Sequence, residues 1–361
     1  MKILHITNGI GVGGIASFIE ELLYQLSLDR NNEITLLCLE ENKEGYREKK
    51  LEKVNVIFLN QKSNFSFKNI FKIRKLIKEN DIIHAHLFPA QHITVLANLF
   101  INKPIVVTEH STSNNRRKYL IFKIIEKYFI YQKYLKIVCV SQDVKNSLNN
   151  WIGNFKNLLV IENGINISEY NYGKNIRQQI FPDIKENDKL ICMIARFIYP
   201  KDHKTVVKAM EKLPDYIKCV FVGIGDGKEE IEKYVKYKKM ENRIYFCGYR
   251  SDINNVLKSC DLSVLSSKYE GLSTVVIESI IANTPIIGSN VVGINGILKD
   301  KNFLFKFGDY LELKEKILQI LTDIEIQNEF KKERKKLIGR FRSENMVKKY
   351  QDLYEKIYRK N

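Results

Sequence analysis

Short apolar runs alternate with helix-patterned segments through most of this chain, and that alternation constrains the fold more than any other feature. The runs Lys2–Ile6, Ile34–Leu39, Val54–Leu59, Ile82–His86, Ile105–Thr108, Ile137–Val140 and Leu158–Ile161 are strand-like. Between them lie helical spacings such as Ile15–Ser27, Ile70–Lys78 and Asp143–Asn149. Strands that alternate with helices build β-α-β units around a parallel sheet. After Asn163-Gly164 the pattern stops. Residues 166–186 are polar, contain Gly173 and Pro182, and read as a linker. The alternation then restarts with strands at Lys189–Ile194, Cys219–Val222, Ile244–Phe246, Leu262–Leu265 and Pro285–Gly288. Helices are expected at Thr205–Lys212, Lys228–Lys239 and Thr274–Ile281, and the last ones, from Leu311 to Lys360, carry mostly surface charge.

The expected fold is therefore α/β, with two doubly wound, Rossmann-like halves. They cover residues 1–165 and 187–340, joined by the linker 166–186 and followed by a helix over 341–361 that would pack back on the first half. The length of 361 residues suits two domains of ordinary size. Ligands in such sheets sit at the carboxyl ends of the strands, so two facing sheets would place a ligand in the cleft between them.

No apolar run reaches the roughly 18–20 residues of a membrane span. The start, MKILHITNG, lacks the apolar region and cleavage site of a signal peptide, so a cytoplasmic location is expected. Six cysteines occur without a C-x-x-C pair and read as reduced core residues.

Charge needs its own account, because 59 Lys and Arg against 42 Asp and Glu leave +17. Residues 116–136 hold seven basic residues and a single acid, Glu126, with six Phe and Tyr residues interleaved. A segment mixing cations and aromatics suits an anionic membrane surface; it also fits a core helix with a basic outer face. A second basic block spans 331–361. No zinc-finger, KH or RRM signature accompanies either block, so nucleic acid is not an expected partner.

Two motif regions carry chemistry. The loop Gly9-Ile10-Gly11-Val12-Gly13-Gly14 follows the first strand and opens a helix, matching the G-x-G-x-x-G pattern of dinucleotide sites. The second strand ends at Leu39-Glu40, where a ribose-binding acid would stand, so an NAD(P)-dependent oxidoreductase is one reading. Any phosphate-linked ligand would also suit a glycine-rich helix N-terminus, and a simple packing turn is the third reading.

In the second half, Arg196 and Lys201 follow the first strand, placed to clamp a diphosphate. Farther on, Glu270-Gly271-Leu272-Ser273-Thr274 leads into a helix that carries Glu278. The turn would present backbone N–H groups to phosphate, and Glu278 would accept hydrogen bonds from ribose hydroxyls. Arg250, after another strand, is a candidate for the nucleobase region. A glycosidase would need two carboxyl groups flanking the scissile bond; here one carboxylate is better explained by a ribose, and a hydrolase would leave the cations and the helix N-terminus without a task.

These motifs resemble the retaining GT-B glycosyltransferases of family four, also called glycosyl transferases group 1. The shared features are Glu270-Gly-Leu-Ser with Glu278, Asn163-Gly164-Ile165, Arg196 with Lys201, Gly13-Gly14 opening a helix, Asp81-Ile-Ile-His-Ala-His86 and Thr108-Glu-His110. The resemblance runs from Met1 to about Arg342. It implies transfer from a nucleotide sugar, UDP-linked by expectation, to a glycan or lipid-linked acceptor in surface polysaccharide assembly. Configuration would be retained, and no metal or other cofactor would be needed. Glu270 would contact the donor sugar, His110 would reach it from the first domain, and Arg196 and Lys201 would hold the diphosphate. Gly13 and Gly14 would approach the phosphates or acceptor. The sequence departs from the family pattern mildly, at Ala195 and at Ile224.

Other histidines attract less. His84 and His86 share a strand face like a metal pair, but no third ligand is evident in the sequence. A non-enzymatic protein that docks to membranes through its basic blocks would leave the second-half motifs idle.

Overall fold

A computed structural model describes residues 1–11, 13–41, 48–60, 69–113 and 115–360. Val12 of the glycine loop lies outside the described residues. The chain divides into two compact units, Met1–Gly164 with Ser343–Asn361, and Ile165–Arg342.

In the first unit, the strands are β1 (Lys2–Thr7), β2 (Glu33–Cys38), β3 (Asn55–Phe58), β4 (Ile82–His86), β5 (Ile105–Glu109), β6 (Lys136–Cys139) and β7 (Leu158–Val160). They form one parallel sheet in the order β3-β2-β1-β4-β5-β6-β7. Its helices are α1 (Gly14–Ser27), α2 (Ile70–Glu79), α3 (Ala90–Asn98), α4 (Leu120–Ile125) and α5 (Gln142–Ile152). Central strands β4 and β5 are buried along their whole length, as a sheet covered on both faces requires.

The second unit opens with two short helices, α6 (Ile167–Asn171) and α7 (Arg177–Ile180). Its strands are β8 (Lys189–Ile194), β9 (Ile217–Val222), β10 (Ile244–Gly248), β11 (Leu262–Leu265), β12 (Ile286–Ser289) and β13 (Leu304–Phe305). Their order is β10-β9-β8-β11-β12-β13, again parallel. The remaining helices are α8 (His203–Glu211), α9 (Lys228–Tyr237), α10 (Ile253–Ser259), α11 (Thr274–Ala282), α12 (Tyr310–Thr322) and α13 (Ile324–Arg340).

The last helix, α14 (Ser343–Tyr358), belongs to the first unit. Met346, Val347, Tyr350, Leu353, Tyr354 and Ile357 are buried, at spacings that form one apolar stripe. The expectation of surface helices after Leu311 is thus corrected for this one, whose core face is mostly Tyr and β-branched residues scattered among charges. The second basic block is divided between the units, with 331–340 in one and 343–361 in the other.

The expected linker also differs. Residues 166–186 fold with the second unit and bury Tyr170, Ile176, Ile180, Phe181 and Ile184 in its core. Their apolar residues are sparse and irregularly spaced, so their polarity concealed the packing. The return to the first unit falls between Arg342 and Ser343; Ile165 N–H donates to Phe341 O at 2.8 Å, tying both ends of the second unit together. All six cysteines are free thiols, five buried and Cys247 half-buried. No helix among the described residues is long and apolar enough to cross a membrane.

Candidate functional site

In the second unit the strand order reverses between β8 and β11. Loops leaving the carboxyl ends of such a pair diverge to opposite faces and leave space for a ligand. Here they are stitched together first. Asp202 N–H donates to Ser266 O and Lys268 N–H to Pro200 O, both at 3.0 Å, and Lys201 bridges Ser267 in antiparallel fashion. The Asp202 carboxylate also caps α8 by accepting the Thr205 N–H at 3.1 Å.

Lys201 and Glu270, 69 positions apart, meet on this frame as an ion pair. Their side chains are only 20% and 14% exposed, which weakens solvent screening of the pair. Arg196 is exposed and makes no ion pair among the described residues. The loop holding Arg196 is pressed from behind by the β9–α9 loop. Gly223 sits at φ +150, and a Cβ there would lie 2.0 Å from Ala195 O, so only glycine fits. Phe197 N–H and Gly227 N–H complete the contact, donating to Ile224 O at 3.0 Å and Phe197 O at 2.9 Å.

Glu270 is backed by a segment that sequence reasoning missed. Its N–H donates to Val292 O at 3.1 Å, and Gly293, at φ +86, packs with its missing Cβ 2.5 Å from Glu270 O. The only sequence signal was a glycine a few residues beyond a strand end. Ser289 joins in: its Oγ accepts the Ser267 N–H at 2.9 Å and donates to Ser267 O at 2.6 Å.

Gly271 and Leu272 are half-buried, Ser273 is buried, and α11 begins at Thr274. No side-chain cap hydrogen bond closes this helix N-terminus, the kind of helix end that can receive an anion. Glu278 stands one turn inside, half-buried, while Val276, Ile277, Ile280 and Ile281 fill the core. Arg250 is tied to Asp252 by two hydrogen bonds of 2.8 and 2.7 Å. Burial would raise the Asp252 pKa, but the Arg250 hydrogen bonds and charge outweigh it and hold the carboxyl below its ordinary value. A nucleobase contact by Arg250 would be shared with that acid. A cavity of about 290 Å³ lies elsewhere, at the amino ends of β8 and β11 near Lys189, Asp261 and Pro285, and plays no part in this cluster.

The first unit repeats the design at its own reversal, between β1 and β4. Asn8 joins the two loops: its amide nitrogen donates to Phe88 O at 2.8 Å and its oxygen accepts the Ala90 N–H at 3.1 Å. Gly13 precedes α1, where a Cβ would meet nothing within 4 Å, and Gly14 begins the helix with no side-chain cap.

His110 follows β5 and is buried. Burial pushes its pKa down to about 3, so the ring is neutral near pH 7. Its Nε2 lies 3.5 Å from His86 Nδ1, and its Nδ1 has no partner among the described residues. His5 changes the reading of the His84–His86 pair, because it brings a third imidazole within reach. Most of their nitrogens are already engaged, however, His5 Nε2 being the one of the three rings' nitrogens without a partner among the described residues. His84 pairs with the Tyr354 hydroxyl at 2.5 Å and Thr108 at 2.7 Å, and His86 pairs with His5 at 3.1 Å. A metal would have to displace these bonds, so the cluster reads as a neutral hydrogen-bonded network built on β1, β4, β5 and α14.

Comparison with known proteins decides the family. The model of glycosyl transferases group 1 matches residues 175–337, and that of glycosyltransferase family 4 matches residues 12–169. This chain is a group 1 glycosyltransferase. The glycosyltransferase is 28% identical over 299 residues to N-acetyl-alpha-D-glucosaminyl L-malate synthase of Bacillus anthracis, covering 78% of this chain and 76% of that one. It is 25% identical over 311 residues to UDP-Gal:alpha-D-GlcNAc-diphosphoundecaprenol alpha-1,3-galactosyltransferase of Escherichia coli, covering 80% and 79%. Its fold matches Anabaena HepE, solved in complex with UDP and glucose, with a TM-score of 0.85 at 19% identity over 98% of this chain and 99% of that one. Both units therefore belong to a GT-B glycosyltransferase, and the oxidoreductase reading of Gly9–Gly14 is set aside.

Proposed function

We propose that this glycosyltransferase moves a hexose-type sugar from a UDP-linked donor to a glycan or lipid-linked acceptor of a cell-surface polysaccharide, with retention of configuration and without a metal or other cofactor. The observation that carries the reading is the Lys201–Glu270 ion pair, which joins the β8–α8 loop that also carries exposed Arg196 to the loop that leads into the uncapped N-terminus of α11. In this reading the donor diphosphate draws Lys201 away from Glu270 and takes Arg196 and the Gly271–Thr274 backbone as further partners. Glu270 then accepts hydrogen bonds from the sugar, and Glu278 from the ribose. As the anomeric C–O bond to the diphosphate breaks, negative charge grows on the leaving oxygen. Fixed cations and N–H dipoles aimed there are the largest catalytic contribution of this kind of site. The acceptor oxygen forms the new bond on the same face, and its proton passes to the departing diphosphate. Those two cations take the place a divalent ion would fill.

His110, neutral by burial, serves as a hydrogen-bonding group to the sugar in this reading, and Gly13 and Gly14 leave open backbone for acceptor or phosphate. The relative that acts on a diphosphoundecaprenol-linked sugar supports a lipid-linked acceptor, which would bring the enzyme to the cytoplasmic face of the membrane.

The test is transfer of radiolabelled sugar from a panel of UDP- and GDP-sugars to membrane lipid extract, with the product's anomeric configuration read by NMR. Expected are turnover with a UDP-sugar, a retained configuration, insensitivity to EDTA, and a loss of about 10²–10³ in kcat for Lys201→Ala. No turnover with any donor, or unchanged kinetics in Glu270→Ala, would overturn the assignment.

A further inference from the structure

Residues 119–129 leave an unusual amount of apolar side chain in water. Helix α4 buries none of its residues, and a π-helical turn, Glu126–Ile130, continues it. Tyr119, Leu120, Ile121, Tyr128 and Phe129 are each 59–70% exposed, and Ile124 is 44% exposed. A core helix with a basic outer face would have turned these inward. The structure does so only for Ile130, Tyr131 and Tyr134, at the far end of the segment.

What holds the segment down is polar. Glu126 points inward and is fully buried. It accepts hydrogen bonds from Arg116 and from Trp151 Nε1, the latter at 2.6 Å, and His92 Nε2 lies 3.3 Å away. Burial would raise the Glu126 pKa, but His92, Arg116 and Trp151 together hold it below the ordinary carboxylate value. The only acid of 116–136 is thus spent on the inner side. Lys118 and Lys133 are exposed, and Lys123 and Lys127 half-exposed, around the apolar face. Lys123 lies 5.8 Å from the Trp151 ring and Lys127 5.2 Å from the Tyr128 ring, so their stems follow the aromatic surface. An apolar face ringed by cations, with no outward acid in 116–136, complements an anionic surface that is greasy beneath.

We infer that the 119–129 face is a membrane-docking surface, in which Leu120, Ile121, Ile124 and Phe129 enter the headgroup–acyl boundary of an anionic bilayer while Lys118, Lys123, Lys127 and Lys133 contact the lipid phosphates. The inference deepens the lipid-linked-acceptor reading and rests on it only for choosing lipid as the occupant. Apolar insertion and charge attraction act together in surface-lying helical segments of this type. The binding would therefore weaken with salt without vanishing.

The test uses the full chain with no donor or acceptor present. Wild-type protein and Ile121→Ser/Phe129→Ser are sedimented with vesicles of phosphatidylcholine alone and of phosphatidylcholine with phosphatidylglycerol. The expected result is binding to the anionic vesicles, little to the zwitterionic ones, and a loss of about ten-fold or more in partitioning for the double variant. Stabilisation by UDP, read as a thermal shift, should be equal in both proteins and serves as the folding control. Absence of binding to anionic vesicles, or equal binding by the variant, overturns the inference. So does a wild-type oligomer in solution that the substitutions dissociate while vesicle binding persists, since the face would then seat a second copy of this chain. Transfer to acceptor in detergent micelles separates the two claims: vesicle binding without transfer sinks the catalytic reading alone, and transfer without vesicle binding sinks this one alone.

Discussion

Gly293→Ala tests whether the position of Glu270 matters, because it moves that residue without altering it. Gly293 lies at φ +86, and a Cβ there would stand 2.5 Å from Glu270 O, 2.6 Å from its carbonyl carbon and 2.8 Å from its Cβ. Real Cβ contacts begin near 3.0 Å and become comfortable at 3.4 Å, so the Glu270 backbone has to withdraw by about 0.5–0.9 Å. A misplacement of about 1 Å at a reacting group can cost about 10²-fold in rate. Alanine in the left-handed region adds a strain of roughly 1–2 kcal/mol whatever its neighbours. Gly308→Ala supplies that strain alone, since φ there is +81 and a Cβ would meet nothing within 4 Å. Both variants should lower the melting temperature of the second unit by about 2–8 °C, taking 2–4 °C per kcal/mol for a unit of this size. In steady-state transfer assays, Gly308→Ala should stay within about three-fold of wild type, and Gly293→Ala should fall about 10²-fold in kcat/KM. Equal activity of the two variants would refute the view that the contact of the Val292–Gly293 segment with the β11–α11 loop positions Glu270.

Three further outcomes are expected. Acidification should unfold the first unit before the second. Burial holds the pKa values of His5 and His110 near 3 and those of His84 and His86 well below 6.5, so each is neutral when folded and binds a proton on unfolding; the second unit has one such histidine, His203, held to about 3, against these four. Their stabilising effect is complete above pH 6.5 and is lost, at about 1.4 kcal/mol per pH unit per histidine, as pH falls toward 3. The single tryptophan, Trp151, lies in the first unit, so its fluorescence should change at a higher pH than the far-ultraviolet dichroism of the whole chain; coincident transitions would contradict this. Arg334→Ala removes two hydrogen bonds of 2.9 Å to Ile280 O and Ile281 O at the end of α11. A loss of about 1.5–3 kcal/mol in denaturant unfolding is expected, with UDP affinity unchanged. Ending the chain at Arg342 deletes the six buried apolar and aromatic side chains of α14, each contributing about 1.5–3 kcal/mol. The first unit should then lose the folded Trp151 spectrum, and a native spectrum would show that α14 is dispensable.

Periodicity alone located every strand but the two-residue β13 (Leu304–Phe305). Those expected at Ile82–His86, Lys189–Ile194 and Leu262–Leu265 match β4, β8 and β11 residue for residue. Parallel strands buried on both faces are continuous apolar runs, which composition cannot hide. The candidate site residues were picked from motifs at strand ends of the second half, and the structure brings two of them, Lys201 and Glu270, together as an ion pair. Sequence read alone left the basic aromatic segment open between core and surface, because aromatics occur at nearly every turn of it. The tertiary structure decided the matter by spending Glu126 on the inner side. It likewise drew the nominal linker into a core, and brought a third histidine beside His84 and His86. It placed Lys201 against Glu270 across 69 residues of chain, and set Gly293 behind them. Each of these is a pairing between distant segments. Local pattern determines what a segment can form, whereas burial partners and charge pairs exist only once the sheet order brings strand ends together.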